Sequence, residues 1–331
     1  MLINGQSVTK YQYHRTVLSY IPFNVEKGEK YNIEVRYDQL YNWEANIEFD
    51  FGREADIDFK SLVNKLEGID IVIFVGGLST NLEGEEMPVT YPGFKGGDRT
   101  DIELPSVQRR FLKALKDAGE KVIFVNCSGS AIALVPETES CDAILQAWYG
   151  GESGGQAVAD VLFGDYNPSG KLPVTFYRNL QQLGDFEDYS MDGRTYRYMS
   201  DPLFPFGYGL SYTTFKIGTA KFSKTRINAG ETVQLTIPVT NSGKLDGTEV
   251  VQIYIRKVND LEGTLKTLRG FKRVKVEAGK TRQVIVDLTP ASFEFYDWNQ
   301  RKMAVTPGEY EVSYGNSSDA RDLKIAKVTV L

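Results

Sequence analysis

Residues 69–77 read IDIVIFVGG, a continuous apolar run that ends in two glycines. Such a run is typical of a parallel strand that is buried on both faces of a sheet. The runs KVIFVNCSG at 121–129 and AILQAWYG at 143–150 repeat this pattern. Apolar residues at helical spacing predict helices at 104–119 and 154–164, and each of these segments ends in a glycine. The order of these segments predicts an α/β/α sandwich with a mainly parallel sheet.

The ends of these strands are where a ligand site is expected. In open parallel sheets, ligands bind outside the carboxyl ends of the strands. The loops that follow the three predicted strands are residues 76–103, 126–137 and 148–155. The first of them is long and rich in glycine, and loops of that length are uncommon unless they are functional.

The residues before and after the predicted α/β region show the alternating pattern that is typical of β-strands. Segments of alternating apolar residues recur at intervals of about ten to twelve residues beyond residue 215, which predicts a β-sandwich over 216–331. Its predicted strands are 232–241, 249–258, 267–279, 281–289 and 308–315.

Residues 1–52 also alternate, with a turn at Lys27-Gly28 and a strand-like stretch at 43–51 that places Ile47, Phe49 and Phe51 on one face. About fifty residues are too few for a good core, so this part is predicted to be a short β segment. The chain therefore divides into 1–52, 53–215 and 216–331.

The composition excludes several classes of function. Thirty-eight basic and 44 acidic residues give a net charge of −6, with no basic cluster of the kind that binds nucleic acid. No apolar stretch approaches the roughly 20 residues of a membrane span, and the N-terminus lacks the apolar core of a signal peptide. The two cysteines, Cys127 and Cys141, are too few for a disulfide framework. The single histidine, His14, lies among tyrosines in a strand-like segment, and a surface or structural role is favoured there.

One apparent catalytic motif is excluded by this histidine count. Residues 151–155, GESGG, match the G-x-S-x-G elbow of serine hydrolases and lie between a strand and a helix. That mechanism needs a histidine later in the chain, and none follows His14. The sequence also lacks dinucleotide-binding, P-loop, zinc-protease and EF-hand patterns, so we expect no metal and no cofactor.

An acidic loop follows the first predicted strand. Residues 81–87 read NLEGEEM and place Glu83, Glu85 and Glu86 close together. Mutual repulsion raises the pKa of at least one such carboxyl if the loop is partly buried, as a general acid requires. A solvated acidic loop is the alternative, and composition alone favours it.

Two further positions near the strand ends are candidates for substrate binding. Asp98 and Arg99 either form a structural ion pair or contact a ligand directly. Trp148 either stacks on a sugar ring or lies in a buried rim. The aromatic residues of the stretch FPFGYGLSY at 204–212 are expected to form a seam between domains.

These stretches together resemble the C-terminal portion of glycoside hydrolase family 3, the group of β-glucosidases and β-xylosidases. The likeness lies in GGLSTNLEGEEM with GGDRTDIELPSVQ, in QAWYGGESGGQAVADVLFGDYNPSGKLPVTF and in PLFPFGYGLSYTTF. It continues in VTNSGKLDGTEVVQIYI, LRGFKRV and TPGEYEVSYGNSS, which are similar to the family's fibronectin type III-like domain, an immunoglobulin-like sandwich. Residues 1–52 resemble the closing strands of a PA14 domain.

The resemblance implies a retaining mechanism with an aspartate nucleophile and a glutamate acid/base. In the family the aspartate lies in an N-terminal TIM barrel, which this sequence lacks, and the glutamate lies in the acidic loop. Both Glu83 and Glu85 align with it, with a slight preference for Glu83 and less support for Glu86. The implied partners are a β-linked glucoside or xyloside and the barrel domain. The alternative is a non-catalytic carbohydrate-binding module with Trp148 as its stacking platform.

The chain is expected to be a C-terminal fragment or natural subunit of such an enzyme, inactive alone because it lacks the nucleophile. A truncated reading frame is the third possibility, which the abrupt start of the sequence favours. The family is often exported, so a periplasmic or extracellular location is compatible with the resemblance, and the sequence itself leaves localisation open.

Overall fold

The structure is a computed structural model that describes residues 1–9, 21–37, 47, 49–53, 55–83, 89–96 and 98–331. His14, Trp43, Gly84, Glu85 and Glu86 lie outside the described residues, so the expectations on them stay predictions. The described chain forms a small N-terminal sheet, an α/β region and a β-sandwich.

The described residues of the N-terminal segment contain less regular structure than the sequence predicts for them. They form three two-residue strands in the antiparallel order β2-β1-β3, namely β1 (Leu2–Ile3), β2 (Gln6–Ser7) and β3 (Ile33–Glu34). The turn at Lys27-Gly28 is present. The strand expected around Ile47, Phe49 and Phe51 is wrong at these positions, which are irregular and about half exposed. Alternation alone stabilises no strand when neither a partner strand nor a core contacts it.

The α/β region follows the predicted order and contains further short elements that the sequence did not predict. Its elements are α1 (Phe59–Asn64), β4 (Val72–Gly77), α2 (Thr80–Glu83), β5 (Thr90–Tyr91), β6 (Phe94–Lys95), β7 (Asp98–Arg99), α3 (Ser106–Asp117), β8 (Val122–Cys127), α4 (Val135–Ser140), β9 (Ala143–Gln146), α5 (Gly154–Phe163) and α6 (Thr195–Tyr198). The expected long loop at 76–103 is partly ordered: it contains α2 and a three-stranded antiparallel sheet, β5-β6-β7. The sequence analysis also missed α4, which has a proline in its first turn, where a proline costs no hydrogen bond.

The central sheet is parallel, with the order β4-β8-β9. On one face, the ring of Phe74 of β4 contacts both Phe111 of α3 and Phe124 of β8, and Leu112 and Leu115 of α3 are fully buried. This is the apolar stripe that the helical spacing predicts. Strand β9 ends at Gln146, earlier than predicted, and the main chain at 148 is left-handed, which ends an extended strand.

The C-terminal region is the predicted sandwich of two sheets. Its strands are β10 (Phe215–Ile217), β11 (Lys221–Phe222), β12 (Arg226–Ile227), β13 (Val233–Asn241), β14 (Gly247–Lys257), β15 (Thr267–Val276), β16 (Thr281–Leu288), β17 (Phe295–Asp297), β18 (Lys302–Ala304), β19 (Gly308–Gly315) and β20 (Lys324–Val330). Strand β13 pairs with β10, β11 and β16, and the second sheet has the order β12-β20-β19-β14-β15. Alternate residues of β13, from Val233 to Val239, are fully buried between the sheets. The sequence analysis missed β20.

A polar and aromatic seam joins the α/β region to the sandwich. Lys171 Nζ and Glu249 Oε1 form an ion pair at 2.8 Å, and their side chains are only 12% and 6% exposed. Glu249 also accepts from its neighbour's main chain and from Asn316. Phe206 stacks on Tyr196, whose ring meets Tyr254 of β14 edge to face. The FPFGYGLSY stretch therefore does contribute to a domain seam.

We expect the buried pair to be far more sensitive to substitution than an exposed one. Lys171→Ala leaves the Glu249 charge buried without its cation, which should lower the free energy of unfolding by about 3 kcal/mol. The matched exposed pair is Lys327 with Glu309, 58% and 42% exposed, so Lys327→Ala should cost less than about 1 kcal/mol. Denaturant unfolding measures both. Equal losses in the two variants would contradict the assignment of the seam as a buried ion pair.

Candidate functional site

The first strand ends under two constraints. The Gly77 N–H donates to Gln108 Oε1 at 2.8 Å, and Gln108 Nε2 donates to the Gly77 carbonyl at 2.8 Å. Gly77 has φ of +125°, and a Cβ there would lie 2.0 Å from the Cys127 carbonyl oxygen. Only glycine combines that angle with so close an approach. The glycine that ends the apolar run therefore sets where the chain leaves the sheet.

A single helical turn follows at once and carries Glu83. Ser79 caps this turn: its Oγ accepts from the Leu82 N–H at 3.1 Å, and its carbonyl accepts from the Glu83 N–H at 3.0 Å. Glu83 is the last residue of α2 and is half-buried. The carboxylate thus lies at the carboxyl edge of the parallel sheet, where the sequence predicts a site.

A tyrosine that follows β9, two strands away from β4 in the sheet, contacts this carboxylate. Tyr149 Oη donates to Glu83 Oε2 at 3.1 Å, across 66 positions of sequence. Its ring lies against Gly129, where a Cβ would be 2.7 Å from a ring carbon. Trp148 has φ of +59°, an uncommon angle for a bulky residue and one that occurs preferentially at functional sites. Partial burial, and then the Glu83 charge, raise the pKa of Tyr149.

Arg99 supplies positive charge near the same group. Its Nη1 donates to Ser130 Oγ at 3.0 Å and to the Ala131 carbonyl at 3.4 Å, while Nε and Nη2 are buried and have no hydrogen-bond partner in the described part of the chain. Burial lowers the pKa of Arg99, and the negative charge of Glu83 acts in the opposite direction. The expected ion pair with Asp98 does not form, and Asp98 is exposed.

A polar network that the sequence analysis missed supports the Arg99 contact. Asn126 at the end of β8 donates to Gln146 Oε1 at 2.6 Å, and Gln146 donates to Ser128 Oγ at 3.1 Å. Ser128 in turn donates to the carbonyl of Ser130, the residue that Arg99 binds. Buried polar groups need such partners. The available signal was Asn126 itself, a polar residue inside the apolar run at 121–129.

Trp148, the aromatic residue that the sequence predicts as a candidate for substrate binding, is less exposed than its neighbour Tyr149. Trp148 is half-buried, and its ring meets Phe176 edge to face with centroids 6.1 Å apart. Tyr149, which is 43% exposed, is the aromatic residue that faces the acidic group. The structure therefore brings together Glu83, Arg99 and Tyr149, and it places Asp98 and Trp148 on the surrounding rim.

The described residues include neither a cluster suited to a metal ion nor a helix suited to span a membrane. Within them, no three histidine, cysteine or acidic residues are grouped so that they could hold a metal ion. Likewise, none of the helices there is long and apolar enough to cross a membrane.

Family models match both regions of the chain. The model described as the glycosyl hydrolase family 3 C-terminal domain matches residues 1–212. A model of a fibronectin type III-like domain matches residues 249–318.

Curated relatives agree with these matches. A xylan 1,4-beta-xylosidase of Xylanibacter ruminicola is 58% identical over 96% of this chain and 36% of its own length. A periplasmic beta-glucosidase of Salmonella typhimurium is 36% identical over 75% of this chain and 33% of its own. The chain spans about a third of the length of these relatives.

Solved structures show the same fold. The beta-glucosidase of Kluyveromyces marxianus in complex with glucose has a TM-score of 0.71 at 30% identity, covering 84% of this chain and 34% of its own. The beta-glucosidase of Listeria innocua in complex with glucose has a TM-score of 0.69 at 26% identity, covering 85% and 39%. An α/β domain with a carboxylate at its sheet edge, followed by a fibronectin III-like sandwich, thus defines the C-terminal region of a glycoside hydrolase. The chain belongs to glycoside hydrolase family 3.

The contact between Tyr149 and Glu83 gives a testable titration. Replacing the carboxylate by an amide, Glu83→Gln, removes the negative charge that disfavours the phenolate, so the pKa of Tyr149 should fall. NMR titration of ring-labelled tyrosine in this chain measures it, with Tyr149→Phe to assign the signal. Glu139→Gln, at an exposed position on α4, is the control and should leave the Tyr149 titration unchanged. An unaltered Tyr149 pKa in Glu83→Gln would contradict the contact.

The strand end gives a second prediction, on stability. Gly77→Ala places a methyl group against the Cys127 main chain and should cost roughly 2 kcal/mol or more in the free energy of unfolding. Gly119→Ala is the matched control, because Gly119 also has a positive φ, of +83°, but open space around it. Thermal or denaturant unfolding compares the two. Equal effects would show that backbone strain alone, and not the close approach, makes glycine necessary at 77.

Proposed function

We propose that this chain supplies the general acid/base glutamate of a retaining β-glycosidase, and that the aspartate nucleophile comes from a barrel domain outside these residues. The observation that carries the proposal is the position of Glu83, at the carboxyl edge of the sheet, bound by Tyr149 and near Arg99. A carboxyl group fixed at an exposed edge is suited to act on a substrate held by a second domain.

Glu83 is our first choice for the acid/base, and Glu85 remains the second. Glu83 has a defined hydrogen bond and a helical turn that holds it. Glu85 lies outside the described residues, so its support is the resemblance to the family alone. Asp98, Arg99 and Trp148 are proposed to line the substrate site around this carboxyl.

The chemistry that follows is a double displacement. The acid/base carboxyl protonates the leaving oxygen while the nucleophile forms a covalent glycosyl-enzyme bond, and the resulting carboxylate then takes a proton from the attacking water. Retention requires the two carboxyl groups to stand about 5–5.5 Å apart. Without the nucleophile no covalent intermediate forms, so the isolated chain is proposed to be inactive.

The proposed substrates are β-linked xylosides or glucosides. The support is that the relatives include enzymes named as a xylosidase and as beta-glucosidases, the former at 58% identity. We also propose domain boundaries near residues 52 and 215. The first segment is proposed to be similar to a PA14 domain. The match of the C-terminal domain model already begins at residue 1.

The rival function, a non-catalytic carbohydrate-binding module, has less support. It would use Trp148 as a stacking platform, and this ring packs against Phe176 instead of lying open. It also gives no reason for the hydrogen bond of Tyr149 to Glu83, or for the positive charge of Arg99 nearby.

The decisive experiment is complementation. The chain is assayed on an aryl β-xyloside and an aryl β-glucoside, alone and co-expressed with the part of the Xylanibacter ruminicola relative that lies outside the matching segment. We expect turnover only in the combination. In that combination Glu83→Gln should abolish hydrolysis of substrates with poor leaving groups, because protonation is lost, and azide should restore turnover of activated aryl glycosides.

Glu85→Gln and Glu139→Gln complete the set. Loss and azide rescue in Glu85→Gln, with Glu83→Gln fully active, would transfer the role to Glu85. Full activity in both would overturn the acid/base assignment, and sugar binding without any complementation would support the rival function. Glu139→Gln should leave the rate of hydrolysis unchanged.

A further inference from the structure

The hydrogen bond between Tyr149 and Glu83 distinguishes the two oxygens of one carboxyl group. Tyr149 Oη donates to Glu83 Oε2 at 3.1 Å. Among the described residues no other side chain donates to Glu83, so Oε1 has no such contact there. A carboxyl group that passes a proton to a substrate must present one oxygen to the acceptor. The tyrosine therefore binds one oxygen and leaves the other available.

The ring of Tyr149 lies directly on the main chain that follows β8. A Cβ at Gly129 would lie 2.7 Å and 3.3 Å from two carbons of this ring. Gly129 has no positive φ, so other residues could adopt its backbone conformation. The ring therefore requires the absence of a side chain at 129, and that absence fixes how close the ring lies to the sheet.

The residue before the tyrosine adopts an unfavourable conformation that directs both side chains. Trp148 has φ of +59°, and its ring packs edge to face against Phe176. A bulky residue keeps such an angle only where the surrounding contacts impose it, and these cases occur preferentially at functional sites. The turn holds Trp148 inward and Tyr149 against Glu83, so the position of the hydroxyl is imposed by the fold.

We propose that Tyr149 is a positioning residue for the acid/base reaction: its hydroxyl orients the Glu83 carboxyl and stabilises the carboxylate that forms when the proton leaves. The inference rests on the proposed function of Glu83. In the first step the O–H bond of the carboxyl breaks, and its proton passes to the leaving oxygen as the nucleophile displaces that oxygen from the sugar. Hydrogen bonds to an ionised acceptor are roughly twice as strong as those between neutral groups. The contact therefore strengthens along this step and lowers its barrier more than it improves substrate binding.

The two halves of the reaction use this contact differently. In the second half the Glu83 carboxylate takes a proton from the attacking water, and the hydrogen bond from Tyr149 weakens. Loss of the hydroxyl should therefore slow formation of the glycosyl-enzyme and should not slow its hydrolysis. A structural disturbance that displaced Glu83 would slow both halves, because both use the same carboxyl group.

Rates on aryl glycosides with leaving groups from good to poor test the inference. The chain is combined with the part of the Xylanibacter ruminicola relative outside the matching segment, and kcat and KM are measured. Tyr149→Phe keeps the ring and removes the hydroxyl. We expect kcat/KM to fall about 10- to 100-fold on poor leaving groups, for which bond cleavage limits the rate. On activated substrates, for which hydrolysis of the intermediate limits the rate, kcat should stay within about twofold.

A second variant and a matched control accompany Tyr149→Phe. Gly129→Ala displaces the ring without removing the hydroxyl and should give the same selective loss on poor leaving groups. An unchanged leaving-group dependence in Gly129→Ala would contradict the role of that glycine. Tyr212→Phe is the control, because Tyr212 is 49% exposed and its hydroxyl donates to the Val161 carbonyl at 2.6 Å. Its rates should be unchanged for every leaving group.

The outcomes separate this inference from the proposed function. Full activity of Glu83→Gln on poor leaving groups, or no turnover by the unsubstituted combination, would overturn the proposed function and the inference with it. Loss and azide rescue in Glu83→Gln, together with unchanged rates in Tyr149→Phe, would overturn the inference alone. Equal losses in Tyr149→Phe for good and poor leaving groups would also overturn it, since they would show a purely structural role.

Discussion

The position of the candidate site depends on how the first parallel strand ends. Two hydrogen bonds from one amide side chain, Gln108, hold the main chain of Gly77, and the carbonyl of Cys127 leaves no room there for a side chain. Because the strand cannot continue, Ser79 begins a helical turn and Glu83 follows at its end. A carboxylate on an otherwise long loop thereby acquires a defined place relative to the sheet. Such support is what a catalytic group needs from its surroundings.

The architecture was predictable because it depends on periodicity, and periodicity is local. Strand β8 and the strands of the sandwich show directly which side chains face a core. Strand β4 was expected to be buried on both faces, and the structure buries it on one face only, with Ile73 and Val75 44% and 64% exposed. The elements that were missed depend on tertiary contacts instead. Helix α4 contains Glu137, which is buried against Arg109 by two hydrogen bonds, and its own six residues give little helical signal. The reverse error at Ile47, Phe49 and Phe51 has the same cause, since their alternation is clear but no described neighbour buries them.

Only part of the candidate site could be predicted from the sequence, for the same reason. Its edge of the sheet and its acidic residue follow from strand order and from the motif. Arg99 was also a candidate from the sequence, but the contact of Tyr149 with Glu83 was not predictable, because these residues are 66 positions apart and meet only when β4 and β9 are aligned through β8. Trp148 was the more conspicuous aromatic residue in the sequence. The left-handed turn at Trp148 packs that ring inward and leaves the next residue to face the carboxylate, and no pattern in the sequence encodes such a turn.

The buried pair of Lys171 and Glu249 has a consequence for how the two regions can move. Interfaces between domains of one chain are usually wet and permit relative motion. Here an ion pair almost removed from solvent, and the edge-to-face contact between the rings of Tyr196 and Tyr254, would be exposed if the sandwich separated from the α/β region. The α/β region and the sandwich therefore share contacts that relative motion of the two would break. In this molecule the sandwich is an integral wall of the α/β domain and not a pendant module.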